Sequence, residues 1–270
     1  NDRVGAARTL NSLGIFYQQA EQPEKALSFY EQGLALSREL KDSVLEARLL
    51  NNMGQLYSLT DRYEEALQAA EQVLAIHRVN QDRAGEGRAL EAMVIGWLYL
   101  GYHQKAIDVG LQALSIHREF KSKTGEATVL HNLGNAHIHL NQPEQAAEYY
   151  RQSRAIKVEI KDRAGATRSL MGVGNALAVV GNHAEALRLL NEALPLTREL
   201  KDRDLESHAL VSLGQAEHRH QRFAQAIEYY FQALTIHREL NKRTEECRTL
   251  EFLGGAHLGL ARWTDAVVFF

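Results

Sequence analysis

Four groups of residues in this sequence have types and spacings that could do chemistry. His131, His137 and His139 lie close enough together to suggest a metal site or a proton relay. Gly172-Val173-Gly174-Asn175 has the composition of a glycine-rich loop that cradles phosphate, and Cys247 beside Arg248 offers a thiol next to a cation. The fourth group is a series, Arg8, Arg48, Arg88, Arg168 and Arg248, spaced at 40 residues or multiples of 40. Guanidinium groups in a row suit carboxylates, because each planar fork can donate two parallel hydrogen bonds to one.

Context removes the first three. No His-Glu-x-x-His pair and no mixed Cys and His set at zinc spacing accompanies the histidines. His77, His117 and His237 share one position of a repeating phrase where Ser37, Lys157 and Thr197 stand elsewhere, and His137 takes the place of Tyr17, Tyr57 and Trp97, a packing role. Gly172 replaces Asn132 and Ser212 within a helical pattern, with no strand before it and no Gly-Lys-Ser or Gly-Lys-Thr after it. Cys247 is flanked by Glu245 and Glu246, which disfavour a thiolate. No catalytic residue, metal or cofactor is expected, and the chain is not expected to be an enzyme.

Composition narrows the partners. With 31 Lys and Arg against 34 Asp and Glu, the formal charge is -3, so no global field draws nucleic acid or an anionic membrane. The aromatic pairs Phe29-Tyr30, Tyr149-Tyr150 and Tyr229-Tyr230 recur where helices should pack, which disfavours a base-stacking platform. No run of about 18 apolar residues is present, and the single cysteine cannot form an internal disulfide, so a cytoplasmic setting is expected. Lacking an initiator Met and stopping within the apolar run 266–270, the sequence reads as an excerpt of a longer protein.

The elements that position these residues come from the repeat. Leu10, Leu50, Leu90, Leu130, Leu170, Leu210 and Leu250 hold one register, and Ala26 to Ala266 at the same interval another. Gly14, Gly54, Gly134, Gly174, Gly214 and Gly254 hold a third, broken by Val94; Arg38, Arg78, Arg118, Arg198 and Arg238 a fourth, broken by Val158. Within each 40-residue unit apolar residues recur at three- and four-residue spacing twice, with breakers such as Gln22-Pro23 and Gly181-Asn182 between, so each unit is a helical hairpin. The units run 3–42, 43–82, 83–122, 123–162, 163–202 and 203–242, with a partial seventh at 243–270. The small residues mark close helix crossings, so Val94 is expected to push its hairpin slightly open.

Leu10-x-x-Leu13-Gly14-x-x-Tyr17, followed by Ala26 and Tyr30, resembles the tetratricopeptide consensus, and the likeness extends over all the units. The units are longer than the usual ~34 residues and are similar to those of the LGN/Pins scaffolds and of the arrays attached to signalling NTPase or CHAT protease-like domains in bacteria. The resemblance implies an all-α, right-handed superhelical solenoid of antiparallel helix hairpins, a single array over residues 3–270 whose first helices line an inner groove that contacts peptides.

On those first helices the positions that vary between units are candidate contacts. Asn11, Asn51, His131, Asn135, Asn175, Gln55 and Gln215 could hydrogen-bond the backbone of a protein or peptide. The arginine series would add a preference for an acidic partner; alternatively each Arg pins the stack by pairing with an acid such as Glu39 or Glu159. The leading functional expectation is a protein-interaction scaffold. The alternatives are a regulatory or sensor module of a larger signalling protein and end-to-end self-association through the apolar run at 262–270.

Overall fold

A computed structural model describes residues 2–261, all of whose regular structure is helical. The apolar run at 262–270, with Ala266 and the expected self-association surface, lies outside the described residues. Helices of 17 residues, one of 18, alternate with joints that recur every 20 residues, so the 40-residue period is built from two nearly equal halves. The chain divides into two compact units, one ending at Ala136 and the other starting at His137.

The first unit contains α1 (Arg3–Gln19), α2 (Pro23–Glu39), α3 (Ser43–Leu59), α4 (Tyr63–Val79), α5 (Arg83–Tyr99), α6 (His103–Glu119) and most of α7 (Lys123–His139). The second contains the end of α7, then α8 (Pro143–Glu159), α9 (Arg163–Val180), α10 (His183–Glu199), α11 (Arg203–Arg219), α12 (Phe223–Glu239) and α13 (Arg243–Gly259). In the first unit consecutive helices from α1 to α6 pack on one another, and in the second those from α8 to α13 do.

Each joint has the same backbone. Of the twelve joints between described helices, ten carry a non-glycine residue in the left-handed region, at φ between 53 and 61°, and Gly101 and Gly181 take that place in the other two. Where a joint connects one hairpin to the next, an aspartate side chain often accepts from the third backbone N–H of the new helix: Asp42 from Leu45 at 3.0 Å, Asp82 from Gly85 at 2.8 Å, Asp202 from Leu205 at 2.9 Å. Two ion-pair series tie the ends together. Arg83–Glu119, Arg163–Glu199 and Arg203–Glu239 close hairpins, as does Arg3 with Glu39. Arg38–Glu46, Arg118–Glu126, Arg198–Glu206 and Arg238–Glu246, at 2.7 to 2.8 Å, and Arg78–Glu86 at 4.0 Å, staple hairpins to their successors at five joints.

The glycine register works by exchange of volume. A Cβ at Gly14 would stand 2.9 Å from Cζ of Tyr30, and one at Gly214 would stand 3.0 Å from Cζ of Tyr230. In the third hairpin the sizes are reversed: Val94 is fully buried and Gly110 occupies the position held by the tyrosines, with Val94 Cγ2 3.5 Å from a Cβ built there. The expected opening at Val94 does not occur, because the bulk has moved from one helix to the other and α5 and α6 pack as closely as α1 and α2.

A second exchange crosses the joints between hairpins. His77 faces Gly85, His117 faces Gly125 and Lys157 faces Gly165, so closely that a Cβ at any of these glycines would collide with the facing side chain. Where the first partner is small, as Ser37 or Thr197, the second is Leu45 or Leu205, and all four are buried. His237, opposite Glu245, departs from the rule and shares a 3.2 Å hydrogen bond with Thr249.

Candidate functional site

A groove of about 640 Å³ opens in the first unit between α3, α4 and α5. Its origin is a departure from the exchange just described. In the second hairpin Ala70 stands in the register that Tyr30 holds in the first, and the residues facing Gly54 are small; a Cβ at Gly54 would find only Ala69 Cβ at 3.5 Å and the Ala66 carbonyl at 3.6 Å, ordinary contacts. The space that Tyr30 fills in the first hairpin is open here. Gly54, Ala66, Ala70 and Val73 form its floor, and Ile95 and Leu59 extend the apolar surface.

Polar groups stand along its edges. Asn51 and Gln55 are exposed on α3, and Arg88 and Glu91 line the α5 side. Arg88 reaches the capping Asp82 at 3.7 Å. Glu91 Oε2 lies 3.0 Å from Nε2 of the buried His117; burial pushes the Glu91 carboxyl up to about 7, with Arg88 pulling the other way. Burial also lowers His117, with Arg88 acting in the same direction. At one end the rings of Tyr63 and Tyr99 stack with centroids 4.3 Å apart, and the Tyr63 hydroxyl donates to Asp61 at 2.6 Å. The groove can therefore take an apolar side chain while offering amides to a backbone.

The structure disperses the sequence-based candidates. Asn51, Gln55 and Arg88 come together on this groove. Arg8 and Arg48 are exposed, make no ion pair among the described residues, and line a smaller cavity of about 330 Å³ with Asp42 and Leu45. His131 and Asn135 are half-buried on α7.

Two amides face neighbouring hairpins instead of solvent. Asn11 is buried and its Oδ1 accepts from Asn52 Nδ2 at 2.8 Å, while Asn175 Nδ2 donates to Ser212 Oγ at 3.0 Å. In the second unit Gln215 is half-buried, Arg248 is exposed, and Arg168 reaches the capping Asp202 of the next hairpin at 3.8 Å. Glu39, one expected partner of the arginine series, is held by Arg3. The pairs that this series does make are to capping aspartates.

Several residues on the groove carry no signal in the sequence reading. Ala70 and Gly54 are small residues in a chain full of them, and their effect appears only when the two helices are superposed at the crossing. Ala70 does stand in the register of Tyr30, Tyr150 and Tyr230, which is the signal that could have found it. Among the described residues no group of three or more His, Cys, Asp or Glu is placed to hold a metal ion, and no helix is long and apolar enough to cross a membrane.

A family model described as tetratricopeptide repeat matches residues 5–78, 98–157 and 166–239. Curated proteins give no match. Among solved structures, aspartyl phosphate phosphatase F from Bacillus subtilis superposes with a TM-score of 0.80 at 13% identity, over 99% of this chain and 69% of that one. The Rap conjugation gene regulator of plasmid pLS20, in complex with the Phr* peptide, gives 0.72 at 15% identity, over 96% and 72%. A signal transduction ATPase with a tetratricopeptide repeat sensor from Pyrococcus horikoshii gives 0.68 at 12% identity, over 94% of this chain and 38% of that one. At these identities the likeness is one of fold.

Proposed function

Because the chain belongs to the tetratricopeptide repeat family, we propose that it is a protein-interaction scaffold that binds an extended polypeptide segment on its first helices. The observation that carries this reading is the groove lined by Gly54 and Ala70, open where Ala70 takes the register of Tyr30. One apolar side chain of the ligand enters it, and Asn51 and Gln55 hydrogen-bond the ligand backbone, a mode that gives affinity with little sequence demand. Acidic residues of the ligand reach Arg8 and Arg48, which carry no competing ion pair among the described residues. A Phr* peptide bound by a protein of the same fold supports this reading by analogy.

The groove can be closed with the chain's own pattern. Ala70→Tyr restores the residue that stands at Tyr30, so the variant should keep its helical circular dichroism and melt no lower than wild type. Affinity capture from a lysate, read by mass spectrometry against this variant, should lose the groove's ligands. Identical captures by the two folded proteins would refute the groove as the binding site.

A further inference from the structure

The staple that joins successive hairpins is missing at one joint of the second unit, and both of its members are missing together. Where Arg38, Arg78, Arg118, Arg198 and Arg238 stand, this joint has Val158; where their glutamate partners stand, it has Ala166. Val158 is 60% exposed. A cavity of about 390 Å³ opens over it, floored by Val158, Ala166, Leu170, Leu196 and Leu200. A second, of about 520 Å³, shares Val158 and Leu170 and continues over Val173 and Leu189. None of these residues belongs to the groove of the first unit.

The rim of this apolar surface is basic. Arg154, Lys161 and Arg163 line the first cavity against a single acid, Asp162, and the buried Lys157 lines it too. Arg151 and Arg188 line the second together with Glu185. Several of the guanidiniums already hold a glutamate: Arg154 holds Glu192 at 3.1 Å and Arg163 holds Glu199 at 2.8 Å, acids that do not line the cavities, while Arg188 holds Glu185, which lines the second, at 2.7 Å. The pairs are exposed and therefore weak, and a guanidinium has N–H groups to spare for a second carboxylate. Lys157 makes no ion pair among the described residues; its ammonium donates to Ser169 Oγ at 3.3 Å.

We infer that this unstapled joint is a second docking surface, and that its occupant is a short acidic segment of a partner protein presenting aliphatic side chains between carboxylates. The aliphatic groups cover Val158 and Leu170, and the carboxylates meet the arginine and lysine rim. In effect the partner supplies from outside the acid that Ala166 does not.

Restoring the staple tests this. The double variant Val158→Arg/Ala166→Glu copies the pair used at the other joints and should fold with unchanged helicity. A phage-displayed library of random short peptides is selected on the wild-type protein and counter-selected on the double variant. The surviving peptides should carry Leu, Ile or Val flanked by Asp or Glu. By fluorescence anisotropy they should bind the double variant about tenfold or more weakly, bind the Val158→Glu variant as weakly through charge repulsion, and bind the Ala70→Tyr variant as well as wild type.

Failure to recover any peptide that distinguishes wild type from both Val158 variants overturns the inference, as does recovery of neutral or basic ones. A wild-type dimer in sedimentation that the double substitution dissociates also overturns it, since the occupant is then a second copy of the chain. Loss of binding in the Ala70→Tyr variant alone assigns the peptides to the first-unit groove instead.

Discussion

Exchange of volume across the joint between α4 and α5 can be tested by reversing it. A Cβ at Gly85 would stand 2.5 Å from His77 Cε1, about 1 Å inside ordinary contact of ~3.5 Å, so Gly85→Leu must drive the imidazole out of its seat. Overpacking of this kind costs ~1–3 kcal/mol, and replacing a helical glycine returns ~0.5–1, leaving a loss of about 1–2. His77→Thr alone empties part of the seat and costs about 1–2 kcal/mol, since the His77–Asp82 pair at 2.9 Å is near the surface and contributes little.

The double variant recreates the Thr197 and Leu205 pair of a later joint and should lie within ~0.5 kcal/mol of wild type, a coupling of about 2–3 kcal/mol. Thermal unfolding followed by circular dichroism resolves this, because each kcal/mol moves the midpoint of a chain this size by ~2–4 °C. If the double variant loses the sum of the two single losses, the two positions do not exchange volume and the reasoning is wrong.

Two further outcomes follow from side-chain and backbone geometry. Glu91 has a folded pKa of about 7, above its ordinary 4.5, so the native chain holds its proton more tightly than the unfolded one. Its contribution is complete below pH ~4.5 and is lost as pH rises through 7, by at most ~3 kcal/mol. Glu91→Gln should therefore gain stability relative to wild type by about 1–3 kcal/mol between pH 5 and pH 8 in urea titrations. His117, whose lowering acts in the opposite sense, is present in both proteins, and a pH-independent difference refutes the assignment. Lys201 sits in the left-handed region at φ 56°, which costs a non-glycine residue ~1 kcal/mol; Lys201→Gly should raise the melting midpoint and Gly181→Ala should lower it, and equal midpoints would show that the joints carry no strain.

The repeat, its hairpins and its close crossings were legible because they are written as the same letter in the same register: Leu10 through Leu250, Gly14 through Gly254. The compensations were not. Val94 announces a departure, but the glycine that accommodates it is Gly110, 16 residues away on another helix, and a register shows which residue departs without showing what faces it. His77 and His117 looked like unconstrained variation for the same reason, their partners Gly85 and Gly125 lying across a joint.

The amides divided differently. Asn51 and Asn11 have the same side chain in the same register, yet Asn51 is exposed on the groove and Asn11 is buried against Asn52. An amide is equally able to bind a backbone or a neighbouring side chain, and only packing decides between them. Val158 was visible as a break in the arginine series, whereas the matching loss at Ala166 acquires meaning only once the staple is seen.

The paired positions also determine where such a chain can be cut and rejoined. The hairpin is the natural unit to the eye, but a boundary at residues 42 and 43 separates Ser37 from Leu45, and one inside the hairpin separates Gly14 from Tyr30. A module that carries its own fitting partners begins in the second half of a second helix, between positions such as Tyr30 and Ser37, and ends at the same point one period later. Arrays lengthened or shortened there should inherit matched sizes, whereas arrays assembled hairpin by hairpin would import histidines facing leucines.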